Sequence, residues 1–464
     1  MGINKKINGH RKHLVFILFL LMLQVFAVQQ VVFGDDLPKM VKIGLFYSSG
    51  ALTDCTLESG AGFVLGTVDG DNFTQTLPLP AFVKIIATVE HDAVTLRDEE
   101  GVLIAADLAN TTCIMPGDYP EGGKIKVEGK EYRGGIMFRK STGEKLTVIN
   151  YLELEEYLYG VVHLEMGQSN PLEALKAQAV TARSFTAKNL GKHSSLGFDL
   201  CNTTNCQVYG GCGAEFENTS RAVDETAGMV IWAEGKPADV YYHKNSGGYT
   251  LSIEEVWSQP ASHLKGKKDE YSPNYPWTAT LTFDTIAQKL SAAGYDIGSV
   301  SSVQITERTA LGVVSKLTVK GEKGSAVLEK EKIRTVFGAT VIRSRLFQIS
   351  GEGQSIVADR TVAVKANTKS GNAGDDVYVL NSSGKSVSVK KAQIYVSNGS
   401  KVSAPSAAQS GAGDSKITGN SVVATGSGYG HGVGMSQDGA IAMAKAGLTY
   451  EDILKYYFTD IEIH

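Results

Sequence analysis

A single carboxylate, Glu165, falls where an apolar stripe should run. Upstream of it, Leu154, Leu158, Val161 and Val162 recur at the i, i+4, i+7, i+8 spacing of a buried helix face. At about 100° per residue, Glu165 lies roughly 20° around the helix from Leu154, in the middle of that face. An ionised carboxylate is costly to bury, so the group is expected to stay partly protonated, with its pKa raised. A carboxylic acid of that kind can hand a proton to a poor leaving group. The same spacing also admits a helix-end glutamate turned to solvent, and the residues alone leave both readings open.

Positioning Glu165 falls to two helices meeting within Gly160 to Asn189. The second has a legible start: Asn170 as cap, Pro171 in the first turn and Glu173 three residues after the cap. Leu172, Leu175, Ala179 and Ala182 form its inner face. Before the corner, residues 133–138 and 146–150 read as paired strands, and 40–135 as a run of short strands separated by Gly and Asp turns. After it, residues 219–232 suggest a helix and then a strand, and 240–242 another strand. Residues 284–338 read as a capped helix, two strands and a short helix, a supporting subdomain. The chain ends on the glycine-dense stretch from Gly428 to Gln437, which opens a helix, and on a second helix capped by Thr449 with Asp452 three residues on. This ending is expected to pack back against the Glu165 corner.

The fold class expected is α+β: a β-rich exported domain with a helical catalytic corner and an inserted β-hairpin module. Its parts are a signal anchor at 1–34, an N-terminal β-rich region at 35–135, the first part of a catalytic domain at 136–350, a hairpin insertion and flexible linker at 351–420, and the rest of the catalytic domain at 421–464. The insertion is read from Val377 and Val379, and Val387 and Val389, alternating with polar residues around a turn. The linker is Ser, Ala and Gly rich without periodicity. The anchor is read from Lys5, Lys6, Arg11 and Lys12 ahead of the unbroken apolar run Leu14 to Leu23. Read as an uncleaved anchor it implies a membrane location with the enzyme domain outside the cytoplasm, while Val25 and Ala27, a mediocre cleavage pattern, leave removal of the segment open as the alternative.

The formal net charge is only -4, and removing the four basic residues of the first 34 takes it to -8. With no run of Lys and Arg interleaved with aromatics, nucleic acid is excluded as the expected partner. Five cysteines are too few for a disulfide scaffold, and their odd number leaves at least one unpaired, metal-bound or intermolecular. The GHGVG stretch lacks the Lys and Ser/Thr of a phosphate-binding loop. His243, Ser246 and His431 come without a GxSxG elbow, which weighs against a serine nucleophile.

The segments INYLELEEYLYGVVHLEM, PLEALKAQAVTARSF, CNTTNCQVYGG, YYHKNSGGYT and GYGHGVGMSQDGAIAMAKAGLTYEDILKYYF together resemble the stage II sporulation protein D family, which includes amidase enhancers. The resemblance spans about residues 130–350 and 421–464. It implies a lytic transglycosylase that cuts peptidoglycan glycan strands during sporulation engulfment, with Glu165 as the catalytic residue. Within that reading His243, Ser246 and His431 are expected to line the glycan groove, with Arg183, Gln207, Tyr209 and Gln437 as hydrogen-bonding or stacking neighbours, while a core place for Tyr209 and a solvent-facing Arg183 stay open. Zinc is implied on His193, Cys201 and Cys206, with Cys212 as a further candidate. Thiolate and imidazole suit tetrahedral zinc, yet Asn205 replaces a histidine common beside the second cysteine, and a Cys201–Cys206 disulfide stays open as the alternative. Gly167 stands where proline often follows Met166. Expected partners are glycan strands, other wall hydrolases or engulfment proteins, the membrane through the anchor, and a second copy of the chain as a homodimer. A non-catalytic, wall-binding amidase enhancer is the competing function.

Overall fold

The computed structural model describes residues 37–80, 82–257, 259–351, 376–380, 386–390 and 416–464. The expected anchor at 1–34 and most of the expected hairpin and linker segment at 351–420 lie outside these residues. Among the described residues no helix is long and apolar enough to cross a membrane. The fold is α+β and rich in strands.

Two compact units make up the chain. The first comprises the described residues through Glu254, then Gln259–Pro273 and Gly432–His464, and the second comprises Glu255–Ser258 and Asn274–His431. This differs from the domain division drawn from the sequence. No boundary falls near residue 135, because one seven-stranded sheet runs straight through it. Its order is Leu200–Cys201, Met40–Phe46, Leu146–Glu153, Gly135–Lys140, Thr112–Pro116, Phe63–Asp69 and Asn72–Leu79. The expected paired strands are present, with Gly135–Lys140 antiparallel to Leu146–Glu153.

The strand Leu146–Glu153 is buried on both faces. Leu146, Val148 and Leu152 enter the main core, while Ile149 and Tyr151 enter a smaller cluster on the other face with Met115, Met137, Phe198 and Cys201. A six-stranded antiparallel sheet built around Asp54–Glu58 and Lys84–Glu90 covers the main core from the N-terminal side. Without an intervening loop, Leu146–Glu153 passes directly into the helix Leu154–Glu165, with Glu153 as its extended cap residue. Leu154, Leu158, Val161 and Val162 are all buried in the main core, as their spacing predicted. Gly160 lets this helix close on its neighbours, since a Cβ there would crowd the Tyr209 ring.

The helix Leu172–Lys188 begins one residue later than expected. Pro171 holds the cap position, and the Asn170 side chain instead donates to the Gly167 carbonyl at 2.9 Å. The turn at 167–170 therefore satisfies itself and leaves no side-chain cap for the helix. At the C-terminus, Thr449 and Asp452 do form the capping box.

In the second unit, Ser421–Ser427 lies between Pro276–Thr282 and Phe347–Gly351, and Val300–Arg308, Val314–Gly321 and Ser325–Glu329 form a second antiparallel sheet. Three strands stand where the sequence suggested two, because Ser325–Glu329 offers only Ala326 and Leu328 to the core. The hairpin of Asp376–Leu380 and Ser386–Lys390 pairs Val377 with Val389 and Val379 with Val387.

The first unit is closed by a short parallel pairing between Tyr242–His243 and Met435–Ser436, with Leu251 bridging to Val433. Gly434 permits it: φ is +71°, and a Cβ would collide with the Tyr241 carbonyl oxygen. Gly235, at φ +74°, has open space around it. Gly235→Ala should therefore lose only the left-handed backbone preference, about 1–2 kcal/mol. Gly434→Ala adds a clash and should lower the urea midpoint clearly further; equal losses would show that the pairing tolerates a side chain there.

Candidate active site

Glu165 is the last residue of its helix and is half-buried. Burial raises its carboxyl pKa, partly offset by hydrogen bonds from the Tyr242 hydroxyl, the Val208 backbone N–H and the Gln437 side chain. No neighbouring charge among the described residues acts on it. The helix end itself is held from the far end of the chain. Gln437 Nε2 donates to the Glu165 carbonyl oxygen at 3.1 Å and to Gln178 Oε1 at 3.3 Å. Gln437 opens the helix Gln437–Lys445, whose cap is Ser436, with Oγ accepting from the Gly439 N–H at 3.2 Å.

Behind the carboxyl group is a chain of neutral polar groups. The Tyr242 hydroxyl donates to Gln207 Oε1 at 3.3 Å, and Gln207 Nε2 donates to Thr186 Oγ1 at 2.9 Å and to the Ala182 carbonyl at 3.4 Å. Gln207 and Gln178 are buried, and Tyr157 is buried beside them in the main core. Such a constellation holds a carboxyl group in a dry, uncharged setting that favours its neutral form.

The loop carrying Tyr242 is pinned to the start of the Gln437 helix. Asn245 Nδ2 donates to Asp438 Oδ2 at 2.9 Å, Lys244 pairs with Asp438 Oδ1 at 2.7 Å, and the Tyr457 hydroxyl donates to the buried Asp269 at 3.1 Å. His243 and Ser246, expected in the groove, are buried within this scaffold. His243 Nδ1 lies 3.1 Å from the Val433 carbonyl, and Ser246 Oγ accepts from the Gly248 N–H at 3.2 Å. Both position the loop.

Two other expected groove residues are corrected outright. Arg183 is 0% exposed; its Nε and Nη2 grip Glu155 at 2.8 and 2.6 Å and its Nη1 reaches the Met229 carbonyl at 3.2 Å. It offers no surface to a sugar, because this fork has been spent on a partner 28 residues upstream. Tyr209 is 5% exposed, packed on Tyr132 and Tyr157, with its hydroxyl donating to Asn150 Oδ1 at 2.9 Å. His431 belongs to the second unit, its ring 5.0 Å from that of Trp257. Gln437 and Gln207 do act around Glu165, though as supports. Tyr242 and Gln178 were missed by sequence reasoning. Tyr242 had a signal, since it neighbours His243 in a strand and so points to the opposite face.

His193, Cys201 and Cys206 come together, with their donor atoms all within 4.8 Å of one another and His193 Nε2 3.3 Å from Cys206 Sγ. The cysteines are free thiols, not a disulfide. Cys212 lies elsewhere, in the turn Gly211–Ala214, where burial next to the Glu215 carboxylate pushes its thiol up to about 12. Leu200–Cys201 pairs in parallel with Ile43–Gly44, which ties the cluster to the central sheet.

The architecture is thus a β-rich frame presenting a neutral-leaning carboxylic acid at a helix end, with a separate histidine and cysteine cluster. Residues 142–232, which include Glu165, Gln207 and that cluster, match the family model described as Stage II sporulation protein. Those residues thus carry a domain of the stage II sporulation protein type. Residues 248–364 match a Domain of unknown function (DUF8618). An amidase enhancer of Bacillus subtilis (strain 168) is 32% identical over 354 residues, 75% of this chain and 46% of the relative. Stage II sporulation protein D of the same strain is 26% identical over 333 residues, 68% of this chain and 75% of the relative. An uncharacterized protein of Brachyspira hyodysenteriae is 27% identical over 383 residues, 81% and 85% of the two chains. The chain spans about half the length of the amidase enhancer it matches.

A glutamate whose pKa is higher in the folded than in the unfolded chain keeps its proton longer when folded. Stability is then lost as pH rises from the ordinary glutamate range through the raised value. Glu165→Gln cannot titrate, so its Tm relative to the parent should climb as the pH rises above the ordinary glutamate range. A flat difference would mean that the carboxyl group is not perturbed.

Proposed function

We propose that this protein is a peptidoglycan lytic transglycosylase acting on glycan strands, with Glu165 as both acid and base. The observation that carries the reading is the setting of Glu165: a carboxyl group raised by burial, surrounded by neutral hydrogen-bonding groups and influenced by no second charge among the described residues. Hydrolytic glycosidases ordinarily need two carboxylates, one to protonate the leaving oxygen and one to attack or to activate water. A transglycosylase takes its nucleophile from the sugar. Glu165 gives its proton to the glycosidic oxygen as the C1–O bond breaks, and the electron pair of that bond leaves on the oxygen. The resulting carboxylate then accepts the proton of the same sugar's 6-hydroxyl, whose oxygen bonds to C1. Glu165 is protonated again, the product is a 1,6-anhydro end, and no water is consumed. The dry polar surroundings serve both halves, since they keep the acid protonated at rest and accommodate the charge that forms briefly.

The Tyr242, Gln207, Gln178 and Gln437 array orients Glu165 and holds water back from it. His193, Cys201 and Cys206 fit a zinc ion in donor type and spacing, with a fourth position left for a water or another group. When bound there, zinc would cross-link the 193–206 loop and stiffen its attachment to the central sheet, with no part in proton transfer. The basic and apolar start of the sequence supports an N-terminal anchor that keeps the enzyme at the membrane, facing the wall. Glycan strands, partner wall hydrolases and engulfment proteins, and a second copy of the chain are the partners this reading entails.

The relative named amidase enhancer favours a second reading, in which the protein binds the wall and stimulates an amidase without cutting glycan. Mass spectrometry of peptide-free glycan strands after incubation separates the two. Anhydro-ended fragments from the parent and none from a folded Glu165→Gln are expected. No fragments from either, together with a stimulated amidase, would replace the first reading by the second. Separately, chelation should release about one zinc per chain and lower the Tm, and Cys206→Ser should abolish both effects. A Tm indifferent to chelator would remove the zinc.

A further inference from the structure

We propose that the outer face of the six-stranded sheet carries a binding site for short peptides that bear both free amines and free carboxylates. An open cavity of about 340 Å³ there is lined by Lys84, Lys124, Lys126, Glu58, Glu99 and Glu131. Strand register explains how the two signs come together. Lys84 stands opposite Glu58, Glu58 opposite Lys126, and Lys126 opposite Glu131, so four neighbouring strands present one transverse row of alternating charge. The alternate residues point inward: Leu57, Ile85, Val127 and Tyr132 are buried in the main core, which holds the backbone of the row in place. The turn carrying Glu99 is fixed as well, since Asp98 Oδ1 accepts from the Glu100 and Val102 N–H groups at 3.0 and 2.8 Å.

Opposite charges facing each other across a sheet can satisfy one another. Elsewhere on this sheet charged groups are consumed by the fold: Arg97 holds Glu90 through two bonds of 2.8 Å, and Arg133 holds Glu215 through two more. Among the described residues, none of the six cavity charges forms an ion pair or a side-chain hydrogen bond. They are free to meet a ligand. A purely anionic ligand would be repelled by the three carboxylates, and a purely cationic one by the three lysines, whereas a ligand of both signs complements the row. Neighbouring strands lie about 4.8 Å apart, so the row covers roughly 14 Å, the length of about four extended residues. Val83, 54% exposed at the cavity, adds an apolar contact for a small side chain. The ligand class is therefore a tri- or tetrapeptide whose carboxylate, amine and second carboxylate meet Lys84, Glu58 and Lys126 in turn. Free peptides and peptides attached to wall glycan both offer this chemistry. The site does not rest on what Glu165 does.

Isothermal titration calorimetry of the full chain with N-acetyl-L-alanyl-γ-D-glutamyl-L-lysyl-D-alanine tests the site. Acetylating the lysine amine leaves this peptide with negative charge only, and amidating both carboxylates leaves it with positive charge only. Each modified peptide is expected to bind about tenfold more weakly than the unmodified one. Glu58→Gln and Lys126→Gln, both at exposed positions, should each weaken the unmodified peptide by a similar factor. Their effects should also cross: Glu58→Gln should lose its discrimination against the acetylated peptide, and Lys126→Gln should discriminate less against the amidated one. Equal affinity for all three peptides, no binding of the unmodified one, or folded variants that bind as the parent does would each overturn the site. Retention on wall material separates the two sources. For wall-borne peptides, Lys126→Gln is held less than the parent on intact wall and equally on glycan stripped of peptide. Equal retention on intact wall, with binding in solution weakened as expected, assigns the site to free peptides. Peptide binding in a protein that forms no anhydro ends would sink the transglycosylase reading alone, and anhydro ends without peptide binding would sink this site alone.

Discussion

Two residues on each side, Tyr242–His243 against Met435–Ser436, hold together stretches of chain nearly 200 residues apart. Their pairing sets the register of everything around Glu165. It fixes Tyr242 on one strand, aims Gln437 from the next residue of the other, and seats the Gln437–Lys445 helix on the loop through Asn245, Lys244 and Asp438. A two-residue ladder is weak alone, because short pairings do not repay the ordering of so long a connection. It persists because its surroundings over-determine it. Val433 and Met435 are fully buried, Gly434 allows the close approach, and Asp269 ties the neighbouring turn to Tyr457.

Within that frame the polar groups divide by charge. Charged side chains are matched away from Glu165: Arg183 with Glu155, Arg133 with Glu215, Lys176 with Glu173 and Glu225. Around Glu165 itself stand amides, phenols and backbone N–H groups. The arrangement suits the acid-and-base role proposed for Glu165. A nearby cation would drain its proton at rest, and a nearby anion would resist the charge it forms in passing. Neutral dipoles do neither, yet they can turn to meet the charge when it appears.

Much of this was legible in the sequence. The apolar spacing of Leu154, Leu158, Val161 and Val162 located the helix and placed Glu165 on its inner side, and the Thr449–Asp452 cap marked the final helix. What could not be read was the partner of each polar residue. Arg183 and Glu155 lie on different helices, and no periodicity announces that one will consume the other. Gln207 and Tyr209 likewise carry the types found in sugar grooves, but their neighbours Thr186 and Asn150 are brought to them only by tertiary packing. Asn170 was misread as a cap because a proline followed it, and its amide was captured by the turn it closes. Helix faces are local properties, whereas hydrogen-bond assignments are decided by the whole fold.

The order in which the parts occur along the chain has a consequence of its own. Gln437 lies 272 residues beyond the carbonyl it grips, and the entire second unit is made between them. During synthesis the acid leaves the ribosome long before its support does. The setting of the acid is therefore complete only once the stretch around Gln437 has been made and has docked, and a chain cut short before it lacks that support.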